Sequence, residues 1–90
     1  MPRYLIESGS HPRAHVGEAI DLAAQRFPEI AVEQCYAERD ASDARLFWVC
    51  RAPSVAHIDR WAVAAQLRLT SLCLVDAVAE YATATGEITR

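Results

Sequence analysis

Two histidines and a glutamate near the start of the chain have the residue types and the spacing of a transition-metal site. His11 and His15 are four residues apart, and Glu18 follows three residues later. On a helix, this spacing places the three side chains on one face, where imidazole and carboxylate groups can hold nickel or another divalent transition-metal ion. The sequence therefore predicts a metal site at His11, His15 and Glu18. The alternative is a pair of solvated histidines at a helix start, because Pro12 disfavours helical geometry at His11.

A pair of carboxylates is the second candidate for chemistry. Glu7 ends the first predicted strand, and Asp76 lies within the last one. These two strands are neighbours in the sheet predicted below. Two carboxylates beside one pocket can do acid-base work when their surroundings shift the pKa of one of them. The alternative is a solvated strand-end Glu and an edge-strand Asp that discourages aggregation.

A hairpin in the middle of the chain predicts a small-molecule pocket. If its turn centres near Ala41, Gln34 lies opposite Trp48, and one sheet face carries Gln34, Tyr36, Trp48 and Cys50. Large aromatics together with an amide and a thiol suit a ligand pocket better than a core packed by helices. We therefore expect these four residues, together with Glu7 and Asp76, to line a ligand site. The alternative for Tyr36 and Trp48 is the apolar core of a dimer interface.

The elements that position these residues are predicted from periodicity and turn residues. Strands are expected over 3–7, 30–38, 45–52 and about 70–81, with residues 8–10 as a turn. A helix capped near Ser10 ends at or before Phe27, ahead of Pro28, and a second helix begins with Ser54 as its N-cap. The order β-α-β-β-α-β predicts an α+β, ferredoxin-like sandwich with two helices on one face of a four-stranded antiparallel sheet. Residues 1–81 form this single domain, and 82–90 form a C-terminal tail.

Two predicted strands are apolar on both faces, which indicates a partner. The segments 46–50 (LFWVC) and 72–75 (LCLV) contain no polar residue. A sheet with one wet face alternates apolar and polar residues, so these strands need cover on both sides. Two helices cover one side only. We therefore expect a second copy on the other side, in a sheet-to-sheet homodimer.

Composition excludes several classes of partner and favours the cytoplasm. The 90 residues carry a formal net charge of −3 without a basic stripe, which disfavours nucleic-acid binding. No apolar stretch approaches the roughly 20 residues of a membrane span. The three cysteines, Cys35, Cys50 and Cys73, all lie in predicted strands, and an odd number in strands is typical of reduced, buried thiols.

Several short segments point to a family. The start MPRYLIE, the second strand ending in Cys35-Tyr36, and the run 50–54 (CRAPS) before the second helix resemble a family of small ferredoxin-like proteins of unknown function that includes nickel-responsive, nickel-binding members. The resemblance covers the chain up to Tyr81. It implies a ferredoxin-like dimer that binds a metal ion or a small ligand.

The chain departs from the family pattern at ligand-type residues. Members often carry a His-Ser-Tyr run in the second strand, where this chain has Gln34-Cys35-Tyr36, and a Cys where this chain has Trp48. These changes remove imidazole and thiolate ligands, so nickel binding is expected to be weak.

We therefore expect a small dimeric protein that binds a ligand or a metal ion. Two alternatives remain open. One is a cofactor-free monooxygenase or isomerase of the dimeric α/β-barrel type, and the other is a purely structural interaction module.

Overall fold

The computed structural model describes residues 1–78 of the chain, and the predicted tail lies outside them. Four strands and two helices follow one another in the predicted order. Their bounds are β1 Arg3–Pro12, α1 Ala14–Arg26, β2 Ala31–Ala37, β3 Asp43–Arg51, α2 Val55–Ala64 and β4 Leu69–Val75. The strands form one antiparallel sheet in the order β2-β3-β1-β4. This arrangement confirms the α+β class and is consistent with a ferredoxin-like fold.

The ends of three elements differ from the prediction by three residues or more, whereas those of β2 and β3 differ by one or two. β1 does not turn at residues 8–10 but continues to Pro12, because a register shift between Ser8 and His11 lets the chain keep its pairing with β3. α1 consequently starts late, with Arg13 as an N-cap that makes no side-chain capping bond. β4 ends at Val75, short of the predicted end at Tyr81, which lies outside the described residues.

Two predicted helix boundaries are confirmed. α1 ends at Arg26 with Phe27 as its C-cap, as the following Pro28 requires. Ser54 is the N-cap of α2, although its hydroxyl lies 2.8 Å from Nδ1 of His57 rather than bonding a free backbone N–H. The position of the cap was therefore predictable, and the partner of its side chain was not.

The core centres on two tryptophans, one from the sheet and one from a helix. Trp48 of β3 and Trp61 of α2 are fully buried and meet edge to face, with ring centroids 5.2 Å apart. Each indole N–H is satisfied: Trp48 donates to Oγ of Ser8 at 3.0 Å, and Trp61 donates to the carbonyl of Ala19 in α1 at 2.9 Å. A buried donor without a partner costs about 1–3 kcal/mol, so these two bonds fix how the elements meet.

Within the described residues, no helix is long and apolar enough to cross a membrane.

Candidate functional site

The side chains of β3 alternate strictly between a buried and an accessible face of the sheet. Ala44, Leu46, Trp48 and Cys50 are fully buried, whereas Phe47 and Val49 between them are half-buried. We call the accessible side the open face. Its three main rows contain Arg3, Leu5 and Glu7 of β1, Ala31, Gln34 and Tyr36 of β2, Phe47, Val49 and Arg51 of β3, and Ser71, Cys73 and Val75 of β4. Arg45 of β3 lies in a fourth row, beyond that of Phe47.

The register of the hairpin keeps Val32 opposite Cys50, as a turn near Ala41 predicts, but overturns the predicted pairing of Gln34 and Tyr36. Gln34 lies opposite Val49 and Tyr36 opposite Phe47, whereas Cys35 lies opposite Trp48. The register shifts between Val32 and Gln34, so that Glu33 is an extra residue in β2. The prediction assumed a regular ladder, and one inserted residue moves the rest of the strand to the other face.

The predicted pocket residues are consequently divided between the two faces. Gln34 and Tyr36 lie on the open face, where the Tyr36 hydroxyl donates to Oε1 of Gln34 at 2.9 Å. Trp48 and Cys50 lie in the core, so the prediction that all four share one ligand-facing surface is wrong. Burial raises the pKa of Cys50 to about 12 and that of Cys35 to about 11, which keeps both thiols protonated and poorly nucleophilic.

The three cysteines are free, as predicted, but they are not all buried. Cys50 is buried and Cys35 is half-buried. Cys73 is exposed on the open face, in the row that also holds Leu5 and Val49. The strand positions were correct, and the expected burial of Cys73 was wrong for the single chain.

Glu7 and Asp76 do not come together as an acid-base pair. Glu7 lies opposite Ser71, five residues before Asp76 along β4. At about 3.3 Å per residue, this separation is far longer than a hydrogen bond. The carboxylate of Glu7 instead pairs with Arg45, with Oε2 3.7 Å from Nη1.

Ion pairs occupy both ends of the open face. At one end, Glu33 contacts two guanidinium groups, with Oε1 3.0 Å from Nε of Arg3 and Oε2 2.8 Å from Nε of Arg51. At the other end, Arg45 lies between Glu7 and Glu38, with Nη2 3.5 Å from Oε2 of Glu38. Hydrogen bonds from Arg45, first of all from its backbone N–H, lower the pKa of Glu38.

These charged clusters were missed in the sequence. A usable signal was present in β3, because every second position from 45 to 51 holds one of these residues: Arg45, Phe47, Val49 and Arg51. Period-two alternation places all four on one face. The part played by Glu33 had no such signal, because it depends on the bulge in β2.

The structure brings the predicted metal residues together, but Nε2 of each histidine hydrogen-bonds to a backbone group. The rings of His11 and His15 stack with centroids 5.3 Å apart, and Nδ1 of His15 lies 3.1 Å from Oε1 of Glu18. Nε2 of His15 donates to the carbonyl of Ala65 at 2.6 Å, and Nε2 of His11 accepts the backbone N–H of Arg68 at 3.3 Å. Among residues 1–78, no group of three or more His, Cys, Asp or Glu side chains is arranged to hold a metal ion.

These histidine contacts hold the end of α2 and the start of β4. His11 is 7% exposed, and burial, followed by the charges of His15 and Arg68, lowers its pKa, while Asp43 acts in the opposite direction. Arg68 also donates from Nε to the carbonyl of Gly9 at 3.0 Å. The cluster therefore has a structural role that its sequence spacing did not reveal.

The hollows on the surface are open to solvent. One of about 340 Å³ lies on the open face and is lined by Arg3, Glu33, Gln34 and Val49. Another of about 480 Å³ lies between the ends of the helices, beside Phe27 and Val63. Neither contains the combination of aromatic, amide and thiol groups that the sequence predicted.

Comparisons with protein-family models, with curated proteins and with solved structures found no match. The resemblance to nickel-responsive ferredoxin-like proteins therefore stays a prediction.

Proposed function

We propose that the protein is an interaction module that forms a homodimer through its open face. The observation that carries the proposal is the middle row of that face, which contains Leu5, Val49 and Cys73 side by side on three adjacent strands. Leu5 is 44% exposed, and Cys73 is exposed as well. Contiguous exposed apolar surface of this kind marks a protein contact site.

In this proposal, both helices cover the opposite face of the sheet. Trp48 points away from the open face and packs on Trp61 of α2, which in turn binds the carbonyl of Ala19 in α1. Through Trp61, the side chains on this face of the sheet are linked to both helices. Nothing among residues 1–78 covers the second set, and in this proposal a partner molecule covers it.

The lack of an enclosed pocket beside the predicted ligand residues favours a protein contact over a ligand cavity. Its hollow beside Gln34 is open, and Trp48, which was expected to wall a pocket there, is in the core. The predicted carboxylate pair is also apart. These observations rank the interaction module above small-ligand binding, metal binding and cofactor-free catalysis.

The size of the surface is sufficient for a specific but modest dimer. Four strands about 4.8 Å apart and four alternate-residue rows of about 6.7 Å give about 500 Å² per copy. The total of about 1,000 Å² is at the low end for specific interfaces. The dimer is therefore expected to be in equilibrium with monomer rather than permanent.

A charge placed in the middle row tests the proposal. Leu5→Asp puts a carboxylate at the centre of the interface, where its desolvation is unfavourable, and the dimer should dissociate. Val63→Asp is the matched control, because Val63 is 79% exposed on α2 and the charge change is the same. Light scattering after size-exclusion chromatography measures the mass, and circular dichroism confirms that both variants are folded.

The expected result is a monomer for Leu5→Asp and an unchanged dimer for Val63→Asp. Leu5→Lys should also give a monomer, because burying either sign of charge is unfavourable. The two variants together distinguish the cost of burying a charge from an effect of its sign. A folded Leu5→Asp protein that dimerises as tightly as wild type contradicts the proposal.

A further inference from the structure

On the open face, β1 presents a cationic, an apolar and an anionic side chain, in that order along the strand. Arg3 and Glu7 lie two residues on either side of Leu5. Such a series is self-complementary when a two-fold axis crosses the strand at Leu5. The cation of one copy then faces the anion of the other, twice.

We infer that two copies pack open face to open face about a two-fold axis that crosses β1 at Leu5, so that Arg3 of each copy meets Glu7 of its mate. This inference rests on the proposed function, since it specifies how the open faces meet. Symmetric dimers use the same patch on both subunits, and a patch that complements itself satisfies that requirement.

The other ion pairs of the face extend this arrangement. Within one copy, Glu33 joins Arg51 to Arg3, and Arg45 joins Glu7 to Glu38. Contact between Arg3 and the mate's Glu7 joins these two clusters into one series. Its signs alternate from end to end: Arg51, Glu33 and Arg3 of one copy, followed by Glu7, Arg45 and Glu38 of the other.

The rows between the charged ends fit the same axis. The middle row, with Gln34, Val49, Leu5 and Cys73, packs on the same row of the other copy. This contact places apolar side chains at the centre of the interface. Arg51 lies over the mate's Phe47, where a guanidinium stacks favourably on a ring. The face already contains such a contact, because the guanidinium of Arg45 lies 5.7 Å from the centroid of Phe47.

A two-fold axis along the strands gives the competing arrangement. It places the end with Arg3 and Arg51 over the same end of the mate, so that two guanidinium pairs face each other. Glu33, which pairs with both guanidinium groups, and Asp76, just beyond β4 at this end, offset that charge, but the guanidinium groups of Arg3 and Arg51 still lie opposite each other across the interface. Like charges across an interface are unfavourable, so the axis across the strands is preferred.

Cysteine cross-linking distinguishes the two axes. Arg3→Cys and Glu7→Cys are prepared separately, in a Cys73→Ser background that removes the exposed native thiol. One of them carries a mass tag, and a short bis-maleimide is added to each alone and to an equimolar mixture. Cys35 and Cys50 react slowly, because burial raises their pKa to about 11 and about 12. Light scattering and circular dichroism report whether each protein is folded and dimeric.

We expect more cross-linked heterodimer in the mixture than homodimer from either protein alone, because the introduced thiols face each other only in the heterodimer and are about 13 Å apart along the strand in either homodimer. Leu5→Cys in the same background should cross-link to itself, which keeps the inference testable if Arg3→Cys or Glu7→Cys fails to fold. Dimers that cross-link equally well in the single proteins, or dimers of Leu5→Cys that do not cross-link, overturn the inference and leave the proposed function standing. A wild-type protein that is monomeric overturns both.

Discussion

His11 is the single residue whose chemistry is most constrained by its surroundings. Its ring is nearly buried, stacks on His15 and accepts a backbone hydrogen bond from Arg68. An acceptor nitrogen must be unprotonated, so the folded protein favours the neutral ring. The cluster therefore forms a contact between β1, α1 and the segment that follows α2.

Stability should fall when the pH drops below about 6.5. Burial lowers the pKa of His11 from its usual 6.5 in the folded chain, so the unfolded chain binds the proton more readily. The contribution of His11 is present in full above pH 6.5 and is lost as the pH falls from 6.5 through the folded-state pKa. Urea unfolding of wild type and His11→Gln between about pH 8 and pH 5 measures this effect. Equal pH dependence in the two proteins contradicts the assignment.

Nickel should bind weakly at the histidine cluster. A metal ion at His15 must displace the bond from Nε2 to Ala65, and one at His11 must displace the bond from Arg68. Each lost bond costs about 1 kcal/mol, or about five-fold in affinity. Isothermal titration with nickel and zinc should show no submicromolar site. A submicromolar site that disappears in His11→Ala/His15→Ala shows that these ligands were undervalued, and one that survives places the site elsewhere.

The two glycines with described surroundings show how strands and helices respond differently to one added methyl group. A Cβ on Gly17 in α1 meets nothing within 4 Å, whereas a Cβ on Gly9 in β1 lies 3.0 Å from Cγ of Arg45 and 3.4 Å from its Cα. The first position is open helix surface. The second is a close approach between paired strands.

Gly17→Ala should stabilise the protein by about 0.5–1 kcal/mol, because alanine favours the helix over glycine. Gly9→Ala should destabilise it by about 1 kcal/mol, because Arg45 and the backbone beneath it must shift. Urea unfolding of both variants beside wild type measures the difference. A stabilising Gly9→Ala, or a destabilising Gly17→Ala, shows that the local packing is different from that described.

The order of the elements was predictable from the sequence, because their signals are local. Helical periodicity, the stop at Pro28 and the cap at Ser54 each depend on neighbouring residues. The face of each side chain in the hairpin was not predictable. The bulge at Glu33 has no glycine to mark it, and its carboxylate is held by Arg3 and Arg51, which are distant in sequence.

The candidate site was predictable to a similar extent. The spacing of His11 and His15 correctly indicated that their rings are close, although His11 lies in a strand and not in a helix. The groups that occupy their nitrogens come from residues 65 and 68, about fifty residues away. Spacing identifies which side chains meet, and the long-range partners decide what those side chains can bind.

At the scale of the whole molecule, one face of the sheet lies in the core, and residues 1–78 leave the other face without cover. Apolar runs on both faces of β3 predicted this imbalance, and the half-buried Phe47 and Val49 show where it lies. The ion pairs at both ends of the open face confine the apolar contact to the middle row. We expect a second copy to complete the structure.

The mass of the wild-type protein in solution decides whether a second copy covers the open face. Sedimentation velocity, or light scattering after size-exclusion chromatography, should give twice the chain mass of 10.0 kDa at micromolar concentration and should shift toward the monomer on dilution. A single species at the chain mass that does not change as the concentration is raised through the micromolar range contradicts the account.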